Sequence, residues 1–436
     1  MKAKFILSSP EHYFRTRLIG INTSSYDEVI EIDPAKQRQV MQGFGGAFTE
    51  AAAHVYATLS KKDKQKVIDL YFSPKGLGYT MGRMTIGSCD FSVGEYDYLP
   101  KDSDAMKDFS LAHDEQEILP FLTDAERYGK LRLMASSWSP LARWKTNQDK
   151  CHGGKLLPEC YDIYAEYLAK YVDAMKEEGH PIAMITPQNE PEAIQTWESC
   201  IYTPEEEGKL VLALKKHLSP DVLIYGWDHN RDRLLDRCEG LFKDPHVEAA
   251  LIGIAYHWYD GKRWDLLAEA KRRYPDKHFL FTEGCVELRV LDYNNPSAAI
   301  GRYHSALRYF ENYLMDTRSG SEGFIDWNLL LDEKGGPNHV GNYCEAPIMW
   351  RNNQLSIQPS YYAIKHFSHF VRPGAVVLDI PNPKTIEVVG FLNLDGSIVI
   401  EMLNQGPATT VAFQIHGNTI TCHLDQDNFG TLVVSK

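Results

Sequence analysis

No apolar stretch in the 436-residue chain approaches the roughly 20 residues of a membrane-spanning helix. The N-terminus, Met1 to Pro10, has Lys2 and Lys4 but only Phe5, Ile6 and Leu7 as strongly apolar residues after them. An export signal needs an apolar region of about 7–15 residues, so a leaderless, cytoplasmic protein is expected, with leaderless export left open. Positive charge is also scarce: 46 basic against 59 acidic residues give a net charge of −13. Nucleic acid and anionic membranes bind basic surfaces, so neither is expected as a partner. The eight cysteines show no Cys-x-x-Cys pair and no zinc spacing, and are expected to be reduced and mostly buried. There is no Gly-rich nucleotide loop and no His-Glu-x-x-His helix. Cys151-His152 stands without a second pair, so neither metal nor cofactor is expected.

The remaining composition is that of an ordinary globular enzyme, 43% hydrophobic and 24% charged. Twenty-four Tyr, 18 Phe and 8 Trp provide rings able to stack on sugars, although most such rings serve as core. Both chain ends read as β-structure. Residues 1–39 carry two short β-like runs. Residues 371–436 carry several β-branched runs, two of them separated by Asp395-Gly396, a hairpin signal. One β-sandwich built from both termini is expected.

Residues 40–370 alternate strand-like runs with helical patterns. Eight strands are predicted, near 42–48, 79–87, 131–136, 182–186, 222–226, 251–256, 278–281 and 323–326. Ser60 is placed to cap a helix running to Phe72, and the pattern from Tyr164 to Met175 ends at Gly179. Thr203-Pro204-Glu205-Glu206 is a capping-box start. Eight alternations predict an α/β fold, a (β/α)8 TIM barrel.

In such a barrel, chemistry sits where strands run into their loops. Two of those strand ends carry a glutamate: Glu190 after Ile182 to Ile185, and Glu283 after Phe279 to Phe281. A charge at the mouth of a buried strand is costly, and a lone glutamate there is usually a cap or a surface ion pair. Two of them suit acid/base work on one bond. Carboxylates about 5–5.5 Å apart are the arrangement of a retaining glycosidase, in which one donates a proton and the other attacks. Arg83 is placed to keep the attacking one ionised, and Asn189 to hold a sugar's 2-hydroxyl. The other strand ends bring Asp90, Trp138, Asp228-His229, His257, Tyr259 and Asp326-Trp327-Asn328 to the same rim. Taken singly, Arg83 reads as a structural ion pair, His257 as a hydrogen-bonding histidine and the tryptophans as core. Together, amides, acids and flat rings suit a neutral polyhydroxylated ligand.

The segments Gln42 to Glu50, Ser88 to Ser92, Trp144 to Asn147, Gln188 to Pro191, His257 to Tyr259, Glu283 to Cys285, Asp326 to Asn328 and Gly335 to Asn338 run in order through the chain. On them the sequence resembles glycoside hydrolase family 30, the glucosylceramidase-like β-glycosidases, over essentially its whole length. The resemblance implies that Glu190 is the general acid/base and Glu283 the nucleophile. It implies that Asp90, Trp138, Asn189 and Trp327 bind the sugar, and that Arg83, His257 and Tyr259 surround the nucleophile. Asn342-Tyr343 falls at the pocket rim. The expected function is a retaining exo-β-glycosidase acting on glucosylceramide or short β-glucosides. The rivals are a β-xylosidase, β-fucosidase or β-1,6-glucanase with the same glutamates, or a non-catalytic sugar-binding effector.

Overall fold

A computed structural model describes residues 2–288 and 296–435. Eight parallel strands close into a barrel: β1 Gly43–Phe48, β2 Met81–Ile86, β3 Arg132–Ser137, β4 Ile182–Thr186, β5 Leu223–Asn230, β6 Leu251–His257, β7 His278–Glu283 and β8 Gly323–Asn328. Each pairs with its sequence neighbour, and β8 pairs with β1 to close the ring. All eight fall where the sequence pattern puts them.

Side-chain alternation of period two explains how the interior is filled. Met81, Met134, Met184, Tyr225, Ala255, Leu280 and Ile325 form one apolar cluster, contributed by seven of the strands. Two residues further along the same strands stand Arg83, Ser136, Thr186, His257, Thr282 and Trp327. The interior thus changes from apolar to mostly polar within one layer, toward the C-terminal strand ends.

Helices cover the outside of the barrel. Ser60 caps Lys61–Phe72 by accepting from the Asp63 N–H. The predicted tyrosine-rich helix is Tyr161–Glu177, which buries Tyr164, Tyr167, Leu168, Tyr171, Val172 and Met175. Beyond its end, Gly179 takes φ +85°, which a side chain would oppose. Thr203 and Glu206 form the reciprocal capping box that opens Pro204–His217.

The chain ends make two facing sheets. A seven-stranded antiparallel sheet joins Lys2–Ser9 and His12–Arg17 to strands between residues 376 and 435, with Gln37–Val40 at one edge. A four-stranded sheet contains Thr409–Ile415 and Asn418–Leu424, with Glu28–Glu31 added in parallel. Phe5, Ile400 and Leu432 of the first sheet share one core with Val411, Phe413 and Ile420 of the second, which makes a sandwich. No helix among the described residues is long and apolar enough to cross a membrane.

Replacing Thr203 by Ala should remove one arm of the capping box and cost about 1 kcal/mol, read as a lowered denaturation midpoint.

Candidate active site

Arg83, on β2, is a fully buried charged group at the barrel mouth. Its guanidinium spends its donors on four neighbours. Nη1 donates to Glu283, Nη2 to Asp228 at 2.7 Å and to the Asn189 Oδ1 at 2.9 Å, and Nε to the Ser136 hydroxyl at 3.1 Å. Its face lies 4.9 Å from the Trp138 ring centroid. A buried cation is tolerated only when paired and hydrogen-bonded, and Arg83 is both.

Asp228 is its counterpart. It is also fully buried and receives four donors: Arg83, the Thr186 hydroxyl at 2.6 Å, the Thr282 hydroxyl at 2.6 Å and the His257 Nε2 at 3.0 Å. Burial opposes its charge, but Arg83 and then His257 hold it far below the usual carboxylate range. Strict alternation after Tyr225 would point Trp227 inward instead. A register irregularity between Trp227 and His229, with φ +73° at Trp227 and +54° at Asp228, shifts the phase. Trp227 then packs outside the barrel, Asp228 points in, and His229 reaches the cavity.

Glu190 follows β4 at φ +48°, also a left-handed residue, with its N–H bonded to the Asp228 carbonyl at 3.0 Å. Its Oε1 lies 3.2 Å from the His257 Nδ1 and 3.6 Å from the His229 Nδ1. Glu283 ends β7. One oxygen faces Arg83, and the other accepts from the Tyr259 hydroxyl at 3.1 Å. Burial lifts Glu283 above its ordinary value, against His257 and Arg83. Against the same burial, His229 and then His257 hold Glu190 below its own. His257 is pushed up to about 9: burial works against its charge, and Glu283, Asp228 and Glu190 outweigh it.

Both glutamates line one cavity of about 250 Å³, together with Asp90, Trp138, Asn189, His229, Tyr259, Trp327 and Asn342. Trp138 and Trp327 stack, centroids 5.3 Å apart, as one wall. Asp90 accepts from the Asn342 Nδ2 at 2.8 Å through one oxygen, and its other oxygen is buried without a partner. Burial, then the charge of Glu283, lifts Asp90 to about 8.

Arg83 stands against Glu283, as expected of it. Arg83 and His257 are not among the cavity-lining residues; both are fully buried behind it. Arg83 holds Glu283 and Asp228, whereas His257 contacts Glu190 and Asp228, so both are engaged with the carboxylates. Asp326 and Asn328 turn away, Asp326 to the Tyr309 hydroxyl and Asn328 to the Thr49 hydroxyl. The cavity also includes Gln195, Trp197, Glu287, Cys285 and Cys344. Gln195 and Trp197 sit in the loop just after Glu190, a position that marks them as rim candidates. Glu287 and Cys344 come from a two-residue β-ladder that no sequence signal marks.

Arg83→Met should destabilise the fold by about 3–5 kcal/mol in equilibrium denaturation, because Asp228 is left buried and charged. Arg83→Lys should recover only part of it, since an ammonium lacks the planar fork. For Asp90 the sign is set by a folded-state value above the unfolded one. The native state is penalised increasingly as pH rises from about 4 to about 8, and the penalty is constant above. Asp90→Asn should therefore raise the unfolding midpoint at pH 8 and leave it nearly unchanged at pH 4.

Residues 41–371 match the model of the Glycosyl hydrolase family 30 TIM-barrel domain. The lysosomal acid glucosylceramidase of Mus musculus is 30% identical over 417 residues, 89% of this chain and 79% of that protein. The crystal structure of SrfJ from Salmonella typhimurium superposes with a TM-score of 0.93 at 36% identity, covering 100% of both chains. An endo-β1,6-glucanase superposes at 0.89 and 25% identity, over 100% of this chain and 99% of that one. A barrel matched along its whole length, with a relative this similar covered over most of its own, makes this chain a member of glycosyl hydrolase family 30.

Proposed function

We propose that the protein is a retaining exo-β-glycosidase that releases β-D-glucose from glucosylceramide or short β-glucosides. One observation carries the reading: Glu190 and Glu283 face a single small cavity closed by Trp138, Trp327 and the half-satisfied Asp90. A volume of about 250 Å³ lies below the roughly 300–1,000 Å³ of drug-sized pockets and suits one sugar ring. The tryptophan wall offers apolar faces to ring C–H groups. With its Oδ1 taken by Arg83, Asn189 has its amide donors left for the 2-hydroxyl.

Charge considered residue by residue favours a proton on Glu283. The available donors favour the reverse. Glu283 meets Arg83, which never loses its proton, and the Tyr259 hydroxyl, and both stabilise a bare carboxylate. Glu190 meets only imidazoles, which can exchange a proton with it. The two carboxylates titrate as a pair, and we place the resting proton on Glu190. Glu283 then attacks the anomeric carbon as the bond to the aglycone oxygen breaks, and the Glu190 proton moves to that oxygen. In the second half, Glu190 takes a proton from water, the water oxygen bonds to the anomeric carbon, and Glu283 leaves.

The glucosylceramidase likeness supports the glucoside preference. The likeness to an endo-β1,6-glucanase supports a second reading, a β-1,6-glucan substrate, through the same two carboxylates. β-Xylosides and β-fucosides would use them too. An aryl-glycoside panel covering glucoside, xyloside, fucoside and galactoside decides the sugar.

Glu190→Gln should slow glucosides with poor leaving groups by roughly 10²–10⁴-fold. Aryl glucosides with acidic leaving groups should suffer far less. Glu283→Gln should be inactive on both, and a 2-deoxy-2-fluoroglucoside should label Glu283 in the wild type. Equal and mild losses from the two changes would defeat the assignment.

A further inference from the structure

His229 lines the cavity, and the proposed reaction gives it no task. Its Nδ1 is buried and has no hydrogen-bond partner. It points toward the Glu190 Oε1, at 3.6 Å, as does the His257 Nδ1 at 3.2 Å. The three donor atoms all lie within 4.8 Å of one another, the only such group among the described residues. We propose that Glu190, His229 and His257 form an inhibitory binding site for a divalent transition-metal ion of the zinc class.

The dimensions fit. Zinc–ligand bonds of about 2.0–2.1 Å in tetrahedral geometry place ligand atoms about 3.3–3.4 Å apart. The two separations from Glu190, 3.2 and 3.6 Å, fall on either side of that edge length, and the third edge, between the two imidazoles, lies within 4.8 Å. Two imidazoles and one carboxylate match zinc, copper, nickel and cobalt, and not the all-oxygen preference of magnesium or calcium.

The fold also holds the ligands in the way metal sites require. The three come from the ends of adjacent strands β4, β5 and β6, which fixes their spacing. Behind the site, His257 Nε2 is bonded to Asp228, itself pinned by Arg83, Thr186 and Thr282. A carboxylate behind an imidazole orients the other ring nitrogen and raises its basicity toward a metal. His229 is braced by the Trp227 ring, centroids 5.0 Å apart. Arg83 is the nearby cation, and Asp228 and Glu283 both pair with it, so the site is not a positive one.

The ion would replace the proton held between His257 and Glu190, which leaves to solvent, and would occupy the lone pairs of Glu190. The inhibition therefore rests on Glu190 being the proton donor proposed above; the binding does not. The role is opposite to that of a catalytic metal: chelator should activate or leave activity unchanged, never abolish it.

The test uses full-length protein without a polyhistidine tag. Calorimetry with ZnCl₂ should give one ion per chain, CoCl₂ should give a tetrahedral visible spectrum, and MgCl₂ should give neither. Zinc should suppress aryl β-glucoside turnover, and EDTA should restore it. His229→Asn and Glu190→Gln should each weaken zinc binding by roughly tenfold or more; should the first fail to fold, the second carries the test. Absence of binding at millimolar zinc overturns the proposal. So does unaltered affinity in the variants, which would place the ion elsewhere. Stoichiometric binding that spares turnover upholds the site and overturns the assignment of Glu190 as acid.

Discussion

The ion pair between Arg83 and Asp228 is the constraint on which the rest of the barrel mouth depends. Two fully buried opposite charges are affordable only if every lone pair and donor finds a partner, and here the partners are the residues of the site. Arg83 reaches Glu283 and Asn189, and Asp228 reaches His257, which reaches Glu190. Glu190 and Glu283 are thus both held by hydrogen bonds that begin at the same pair. A single buried network links the two glutamates of the pocket.

That network needs backbone the barrel would not otherwise adopt. Glu190, Trp227 and Asp228 all take positive φ without being glycine. Such residues persist when their surroundings over-determine them. Glu190 N–H to the Asp228 carbonyl and Trp227 N–H to Glu207 supply that restraint. The irregularity in β5 is what puts Asp228 inside and His229 in the cavity on successive residues, which a regular strand forbids.

Much of the architecture could be read beforehand because local rules agreed with the global fold. The Thr203 capping box, the cap at Ser60, the stop at Gly179 and the eight alternations all depend on near neighbours in sequence. The pairing of both chain ends in one sandwich was legible from their shared β-branched character. At the site, Glu190, Glu283, Asp90, Trp138, Asn189, Tyr259, Trp327 and Asn342 all reach the cavity. Arg83 and His257 also stand at strand ends, and their phase in the strand puts them behind the carboxylates, where both are fully buried. Glu287 and Cys344 escaped notice because a two-residue ladder has no periodicity to detect.

The amino-acid order by itself determined which residues stand at the C-terminal ends of barrel strands, because strand period and helix caps are local properties. It therefore determined the chemical inventory of the rim. Only the tertiary structure decided who touches whom. Closing eight strands into a ring brings the ends of β3, β4, β5 and β7 around the one guanidinium carried by β2. A one-residue slip in β5 then exchanges an indole for a carboxylate at the centre. Neither the closure nor the slip is a property of any short segment, since both are set by how all the strands pack at once.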